Sequence, residues 1–382
     1  MINKIKILHI VSDLNSGGVE NMLYNYINYI DNSKFDIAFV SHSYGGMIND
    51  QLLKAGFRVF YVTPRKKNFI KNILDLWKYM HSDNWDIVHS HINQMSAIPI
   101  LLARISGIRV RIAHAHGSKI YNDKIKKIIY NILSKIILYN ANYLMACGTD
   151  AAVRVFGKRI VRQKKVIYLK NAIDLEKFSY NKKSAQYLRS NLGINERYII
   201  LHVARLSEEK NHIFSIEVFC KLIEKNPNMR LLIIGEGPLK EKLKQKVLLL
   251  GLDNKVSFLG ARKDVSSFMS LADCLLLPSF HEGLPLVPIE AQANGLQCYL
   301  SKNVPEEVVL TEKACRLDLS LGPAVWAEYI YNNLSKERIS DKKIIQKAGY
   351  DIKLAAKKLE NFYIVSATKM GKILYLSTLF NC

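Results

Sequence analysis

Residues His281–Gly295 read H-E-G-L-P-L-V-P-I-E-A-Q-A-N-G and follow the apolar run Cys274–Leu277 and Pro278. Glu282 falls in a loop; Glu290 falls eight residues later, in the helix that the pattern predicts. Two carboxylates so placed can accept hydrogen bonds from the paired hydroxyls of a sugar or a ribose. Gly283, Leu284 and Pro285 shape the loop, and Pro288 and Gly295 bracket the helix. A helix N-terminus beside a glycine loop offers free N–H groups and the positive end of a dipole to a phosphate. A second group, His202–His212, reads H-V-A-R-L-S-E-E-K-N-H. Its Arg205 and Lys210 come just after a predicted strand, where two cations can neutralise a diphosphate leaving group. Taken alone, the same residues read as a solvated basic turn. Gly17 and Gly18 stand in the first strand-to-helix turn, where glycine lets a backbone approach a phosphate closely. The turn is not G-x-G-x-x-G, so no nicotinamide dinucleotide is signalled. Gly235-Glu236-Gly237, after another strand, is of the same kind.

Two His-x-His pairs, His89/His91 and His114/His116, each end an apolar run. One reading is a metal site, although no nearby cysteine or acid cluster completes a shell. The other is that histidines at a sheet end bond sugar hydroxyls or move protons, with His116, beside Gly117, as the leading candidate. His9, His42 and His81 are read as structural.

These residues need strand ends to hold them, and the chain supplies strands alternating with helices. The opening K-I-K-I-L-H-I-V-S is an apolar strand, followed by the glycine turn and by a segment with helical apolar spacing. Short apolar runs follow at Phe35–Val40, Arg58–Val62, Asp86–His89, Arg111–His114 and Asn142–Ala146. The pattern restarts at Tyr198–Val203, with a helix over Asn211–Glu224, a strand at Arg230–Ile234 and a helix over Pro238–Leu250 begun by proline. Val256–Leu259, Cys274–Leu277 and Gln297–Ser301 complete the strands. Such alternation predicts two α/β, doubly wound, Rossmann-like domains with parallel sheets and a cleft between facing strand ends. The polar stretch Asp174–Leu192 reads as the hinge. The domains are expected at 1–180 and 181–350, with a C-terminal helix and tail at 351–382 packing back on the first. Helices are expected near Ala324–Leu334 and over Lys342–Tyr363, and the apolar stretch Ile373–Cys382 reads as either a final helix or a loose tail.

The 382 residues suit two domains of roughly 150 residues each. Apolar residues make up 49% and charged ones 23%, which supports folded cores and excludes a disordered chain. The net charge of +22 favours polyanionic partners. It is concentrated between Arg104 and Lys170, where fifteen Lys or Arg face two acids, Asp123 and Asp150. Within this stretch Lys119–Asn140 reads either as a basic amphipathic helix lying in a membrane interface or as a core helix with a basic outer face. Six cysteines without a C-x-x-C pair read as free thiols in a reducing compartment. The first apolar run is short and soon meets Asp13, unlike a signal peptide, and no run of about 20 residues lacks charge, so no membrane-spanning helix is expected.

The series G-G-V-E, H-A-H-G, V-A-R-L-x-x-x-K, I-G-E-G-P, F-L-G-A-R-x-D-V and H-E-G-L-P-x-x-x-x-E-A, in that order from Ile5 to Tyr363, resembles glycosyltransferase family 4. The resemblance is closest to members that build bacterial capsular, exopolysaccharide or O-antigen chains. It implies the GT-B fold and retaining, metal-independent transfer from a nucleotide sugar, UDP more often than GDP or ADP. It implies no cofactor. On these positions Gly17 and Gly18 would lie against the donor phosphate and the acceptor side, and His116 would contact the transferred sugar. Arg205 and Lys210 would hold the diphosphate, Glu282 the sugar hydroxyls and Glu290 the ribose. Gly235, Glu236 and Arg262 would border the base, with Gly283 and Leu284 beside the donor.

The resemblance further implies a first domain for the acceptor, a glycan or a polyprenyl-diphosphate-linked sugar, and a second for the donor. The chain would sit in the cytoplasm, peripheral to the inner face of the membrane. Where the family has N-G-I-D, this chain has Asn171-Ala172-Ile173-Asp174. Competing readings are a nucleotide-sugar epimerase or hydrolase of the same fold and an inactive carbohydrate-binding subunit. A nucleic-acid partner is not expected, because no aromatic–basic strand motif accompanies the charge.

Overall fold

In the computed structural model, which describes residues 4–15, 18–116, 123–335, 337–338, 340 and 342–368, the apolar runs become the strands of two parallel sheets. The first contains β1 (Ile5–Val11), β2 (Phe35–Ser41), β3 (Arg58–Tyr61), β4 (Ile87–Ser90), β5 (Val110–Ala115), β6 (Tyr143–Ala146) and β7 (Val166–Tyr168). Their order is β3-β2-β1-β4-β5-β6-β7. The chain therefore walks outward from β1 in one direction, then returns and walks outward in the other. Nearly every position of β1, β2, β4 and β5 is buried, as a sheet covered on both faces requires. Alternation sends Ile7, Ile37, Ile87 and Ile112 to one face and Leu8, Ala38, Val88 and Ala113 to the other. On the first face they meet Tyr26 and Ile27 of the helix Gly18–Tyr29 and Leu359, Phe362 and Tyr363 of the closing helix Ile352–Ala367.

The second sheet contains β8 (Tyr198–Val203), β9 (Met229–Ile234), β10 (Val256–Phe258), β11 (Cys274–Leu277), β12 (Gln297–Ser301) and β13 (Ala314–Leu317), in the order β10-β9-β8-β11-β12-β13. It repeats the outward-and-back walk, with the reversal between β8 and β11. Its two cores centre on Leu201, Leu232, Leu275 and Leu300 on one face and on Ile200, Leu231, Leu276 and Trp326 on the other.

The chain divides into two compact units. One runs to Ala172 and resumes at Ile352, and the other is Ile173–Asp351. The stretch read as a hinge belongs to the second unit. It contains the helix Lys182–Asn191, and Leu175, Phe178 and Leu188 enter that unit's core. The expected single helix over Lys342–Tyr363 is two, Lys342–Lys347 and Ile352–Ala367, separated at Gly349, whose φ of 85° ends the first. Pro238 does not begin a helix; the next one starts at Lys240. The basic helix spans Lys124–Asn140, capped by the Asp123 carboxylate, which accepts from the Ile125 and Lys126 N–H groups. Residues 119–122, Gly117, and the tail 373–382 lie outside the described residues.

Candidate active site

A strand order that reverses leaves neighbouring loops diverging at the carboxyl ends of the two central strands, where ligands bind in open α/β sheets. In the second unit those strands are β8 and β11, which pair side by side. They carry the V-A-R-L-S-E-E-K and H-E-G-L-P segments, so the topology brings the two strongest sequence signals together.

Side chains and backbone stitch the two loops. Lys210 Nζ lies 2.6 Å from Glu282 Oε2, with the two side chains 22% and 5% exposed. The Ser279 hydroxyl donates to Glu282 Oε1 at 2.8 Å. The Phe280 N–H donates to the Glu209 carbonyl at 2.8 Å, and the Asn211 amide donates to the Pro278 carbonyl at 3.1 Å. Asn211 is left-handed, with φ 52°, a conformation that asparagine tolerates better than most residues. It lets the chain turn from Lys210 directly into the helix His212–Lys225.

Glu282 uses one of the three N–H donors of Lys210, which leaves two for an anion. Arg205 is exposed at the start of the same loop. The Glu209 carboxyl is held below its ordinary range, first by its own backbone N–H and then by the Ser207 hydroxyl, with Lys210 and Arg205 adding to the effect. Gly283 is exposed and Leu284 half-buried against the core.

Glu290 stands in the short helix Val287–Ala293, half-buried. Burial raises its carboxyl from 4.5 to about 7, opposed by the charge of Lys177. The carboxyl is thus poised near neutrality.

Gly235 and Gly237 have a packing reason to be glycine. A Cβ on Gly235 would stand 1.9 Å from the Ala204 carbonyl oxygen, and one on Gly237 would stand 2.3 Å from that of Leu206. The Leu206 N–H donates to the Glu236 carbonyl at 3.0 Å. These glycines let the β9 loop lie against the loop that carries Arg205. The Glu236 carboxylate pairs with Lys240 at 3.0 Å, and Arg262 makes two hydrogen bonds to Asp264, at 2.8 and 2.7 Å. Neither side chain reaches the Lys210–Glu282 pair through these contacts.

The first unit repeats the topology, with β1 and β4 at its reversal. Gly18 opens the helix after β1, where a Cβ would meet nothing within 4 Å; Gly17 lies outside the described residues. His116 follows β5, its N–H donating to Asn93 Oδ1 at 2.8 Å. It belongs to a group larger than the two His-x-His pairs. His91 Nδ1 is 2.9 Å from His116 Nε2, and His91 Nε2 is 3.0 Å from His9 Nδ1. His89 Nε2 is 3.2 Å from His114 Nδ1, and His89 Nδ1 is 2.7 Å from the Tyr363 hydroxyl. Burial holds all five imidazoles neutral, bringing His9 and His116 down to about 3.

The sequence reading missed His9, read as structural, and Tyr363, which sits on a helix 274 residues from His89. It also missed the clamping roles of Ser279 and Asn211. The two-residue alternation of β1, which puts His9 on the face of Ile7, is the signal that would have found the first. His42 and His81 hydrogen-bond the Val11 and Trp77 carbonyls and serve the fold.

Two doubly wound parallel sheets, each with its own reversal point, are the architecture of the GT-B fold. The sequence matches Glycosyltransferase Family 4 over residues 16–177 and Glycosyl transferases group 1 over residues 185–348. EpsF of Bacillus subtilis (strain 168), provisionally described as a glycosyltransferase, is 32% identical over 95% of this chain and 97% of its own. The chain belongs to glycosyltransferase family 4. An Escherichia coli UDP-Gal:alpha-D-GlcNAc-diphosphoundecaprenol alpha-1,3-galactosyltransferase is 26% identical over 78% of this chain and 80% of its own. The fold matches that of Anabaena Alr3699/HepE, crystallised with UDP, with a TM-score of 0.75 at 18% identity over 94% of this chain and 99% of the other.

Proposed function

We propose that this chain is a retaining glycosyltransferase that moves a sugar from a UDP-sugar to a lipid-linked or oligosaccharide acceptor during assembly of a surface polysaccharide. The observation that carries the proposal is the Lys210–Glu282 pair clamped by Ser279 at the β8–β11 reversal. It combines a cation with spare donors for a diphosphate and a carboxylate for sugar hydroxyls. The name of the Escherichia coli relative, which specifies UDP-galactose and a diphosphoundecaprenol-linked acceptor, supports the choice of substrates.

In the proposed reaction the acceptor oxygen bonds to the sugar C1 on the face the diphosphate leaves, the C1–O bond to the diphosphate breaks, and a phosphate oxygen takes the acceptor proton. Arg205 and Lys210 stabilise the charge on the leaving group, so the transfer itself calls for no metal. Glu282 orients the sugar, Glu290 the ribose, and His116 a hydroxyl of the transferred sugar. The test is nucleotide release from UDP-, GDP- and ADP-sugars, with and without membrane lipid extract. We expect one donor to respond to the extract, and Glu282→Ala to lower its turnover at least about a hundredfold. Near-native turnover in the variant, or no donor bound or turned over, refutes the reading.

We further propose that the first unit rests on an anionic membrane surface at its cytoplasmic side. No helix among the described residues is long and apolar enough to cross a membrane. On the helix Lys124–Asn140, however, Ile125, Ile128 and Ile132 are 69%, 62% and 54% exposed, beside Lys124, Lys126, Lys127 and Lys135. The helix Ala97–Ile105 packs against this helix and against Phe69–Met80, which exposes Phe69, Ile70 and Leu74. An apolar face rimmed by lysines suits an interfacial site. Ile128→Asp with Ile132→Asp should abolish co-sedimentation with phosphatidylglycerol vesicles at low salt; unchanged sedimentation, or none by the wild type, refutes it.

A further inference from the structure

Hydrogen-bond bookkeeping for the histidine group does not close. A neutral imidazole has one donor and one acceptor nitrogen. Four buried rings, the half-buried His116 and Tyr363 share four contacts, and the atoms His9 Nε2, His114 Nε2 and His116 Nδ1 are left buried without a partner. Leaving a buried polar atom unsatisfied costs about 1–3 kcal/mol, so a group built this way needs a reason.

The pattern of the bonds suggests one. His91 has its Nε2 held by His9, leaving Nδ1 toward His116. His114 has its Nδ1 held by His89, itself held by Tyr363, and its Nε2 is unpartnered. His116 lies against both, 2.9 Å from His91 and with its ring centroid 3.9 Å from that of His114. Metal-ligating histidines have this construction, in which a second residue fixes the outer nitrogen and so the ring and its tautomer. One nitrogen from each of His91, His114 and His116 lies within 4.8 Å of the others. Tetrahedral zinc with bonds of about 2.1 Å holds its ligands about 3.4 Å apart, within reach of small ring rotations. His116 is half-buried and gives an ion a way in, whereas His91 and His114 are 4% and 1% exposed.

We propose that His91, His114 and His116 bind one divalent transition-metal ion of the zinc class, with His9, His89 and Tyr363 as the supporting shell. Three imidazoles without carboxylate select zinc, cobalt or nickel over magnesium or calcium. Because His116 is shared, an ion there withdraws it from the sugar, and the ion inhibits the transfer proposed above. This second consequence rests on the transferase reading; the binding does not.

The experiment uses the tag-free, metal-stripped full chain. Zn(II) is titrated by calorimetry, and Co(II) is followed by its visible absorption. We expect one ion per chain, with a tetrahedral cobalt spectrum. His114→Ala and His91→Ala should each abolish it, His89→Ala should weaken it about 10–100-fold, and His81→Ala should leave it unchanged. No saturable binding by the wild type, or binding that survives both His91→Ala and His114→Ala, overturns the site, and the wild-type titration decides even if a variant fails to fold. Zinc should lower donor turnover and a chelator should restore it; turnover indifferent to a bound ion overturns the inhibition. Absence of turnover in every preparation would instead sink the transferase reading and leave the ion titration standing.

Discussion

Glu290 offers a test in which stability and function move in opposite directions. Burial raises its carboxyl from 4.5 to about 7 in the folded chain. Between those values the folded state holds a proton that the unfolded state has lost. Stability is therefore fully present below pH 4.5 and declines as pH rises toward 7, after which the deficit is constant. At about 1.36 kcal/mol per pH unit the deficit is about 3 kcal/mol. Glu290→Gln keeps the shape and removes the ionisation. The variant should nearly match the wild type at about pH 4 and exceed it at about pH 8 by up to about 3 kcal/mol. For a unit of this size that corresponds to about 6–12 °C in Tm. Thermal and denaturant unfolding at the two pH values measure the gap. The same substitution replaces a carboxylate that would accept from ribose hydroxyls, so the donor KM should rise while stability improves, a trade common at functional sites. A variant no more stable than the wild type at pH 8 would refute the argument that this carboxyl is held in a strained, desolvated state for the sake of the site.

Two further predictions concern the frame of each site. Gly235→Ala would set a Cβ 1.9 Å from the Ala204 carbonyl oxygen at a φ of 142°; it should cost about 3 kcal/mol or more and weaken donor binding, read by thermal unfolding and calorimetry. Tyr363→Phe removes the hydroxyl partner of His89 Nδ1 and should cost about 1–3 kcal/mol, measured by denaturant unfolding.

Most of the strands were legible because buried parallel strands are short apolar runs, and those of β1, β2, β8 and β11 stand out from their surroundings. β7 and β13, three and four residues long and partly buried, were missed although β10, as short and as partly buried, was read; in β13 Arg316 interrupts the apolar run, and Lys164 and Lys165 stand directly before β7. The helix Lys182–Asn191 escaped for a related reason: within it only Leu188 is buried. The closing helices were read as one because a residue in a left-handed turn, such as Gly349, looks the same in sequence as a glycine tolerated within a helix.

The candidate site divides the same way. Lys210 and Glu282 were legible as separate motifs, and their pairing follows from strand adjacency, a property of topology. The raised carboxyl of Glu290 is a consequence of packing that no local spacing encodes. The partnership of His89 with Tyr363 needs the chain to return after the whole second unit has been built.

That return has a consequence for biosynthesis. The second unit, Ile173–Asp351, is an insertion: the first unit is interrupted at Ala172 and finished only by Ile352–Ala367. On a ribosome the inserted unit is fully emerged before the first has its last helix. The first sheet must meanwhile wait with the face of Ile7, Ile37 and Ile112 uncovered where Leu359, Phe362 and Tyr363 will pack. Synthesis order and completion order are inverted. A chain stopped just after Asp351 would therefore release a finished C-terminal unit joined to an N-terminal one with an open core, a natural substrate for chaperones and proteases.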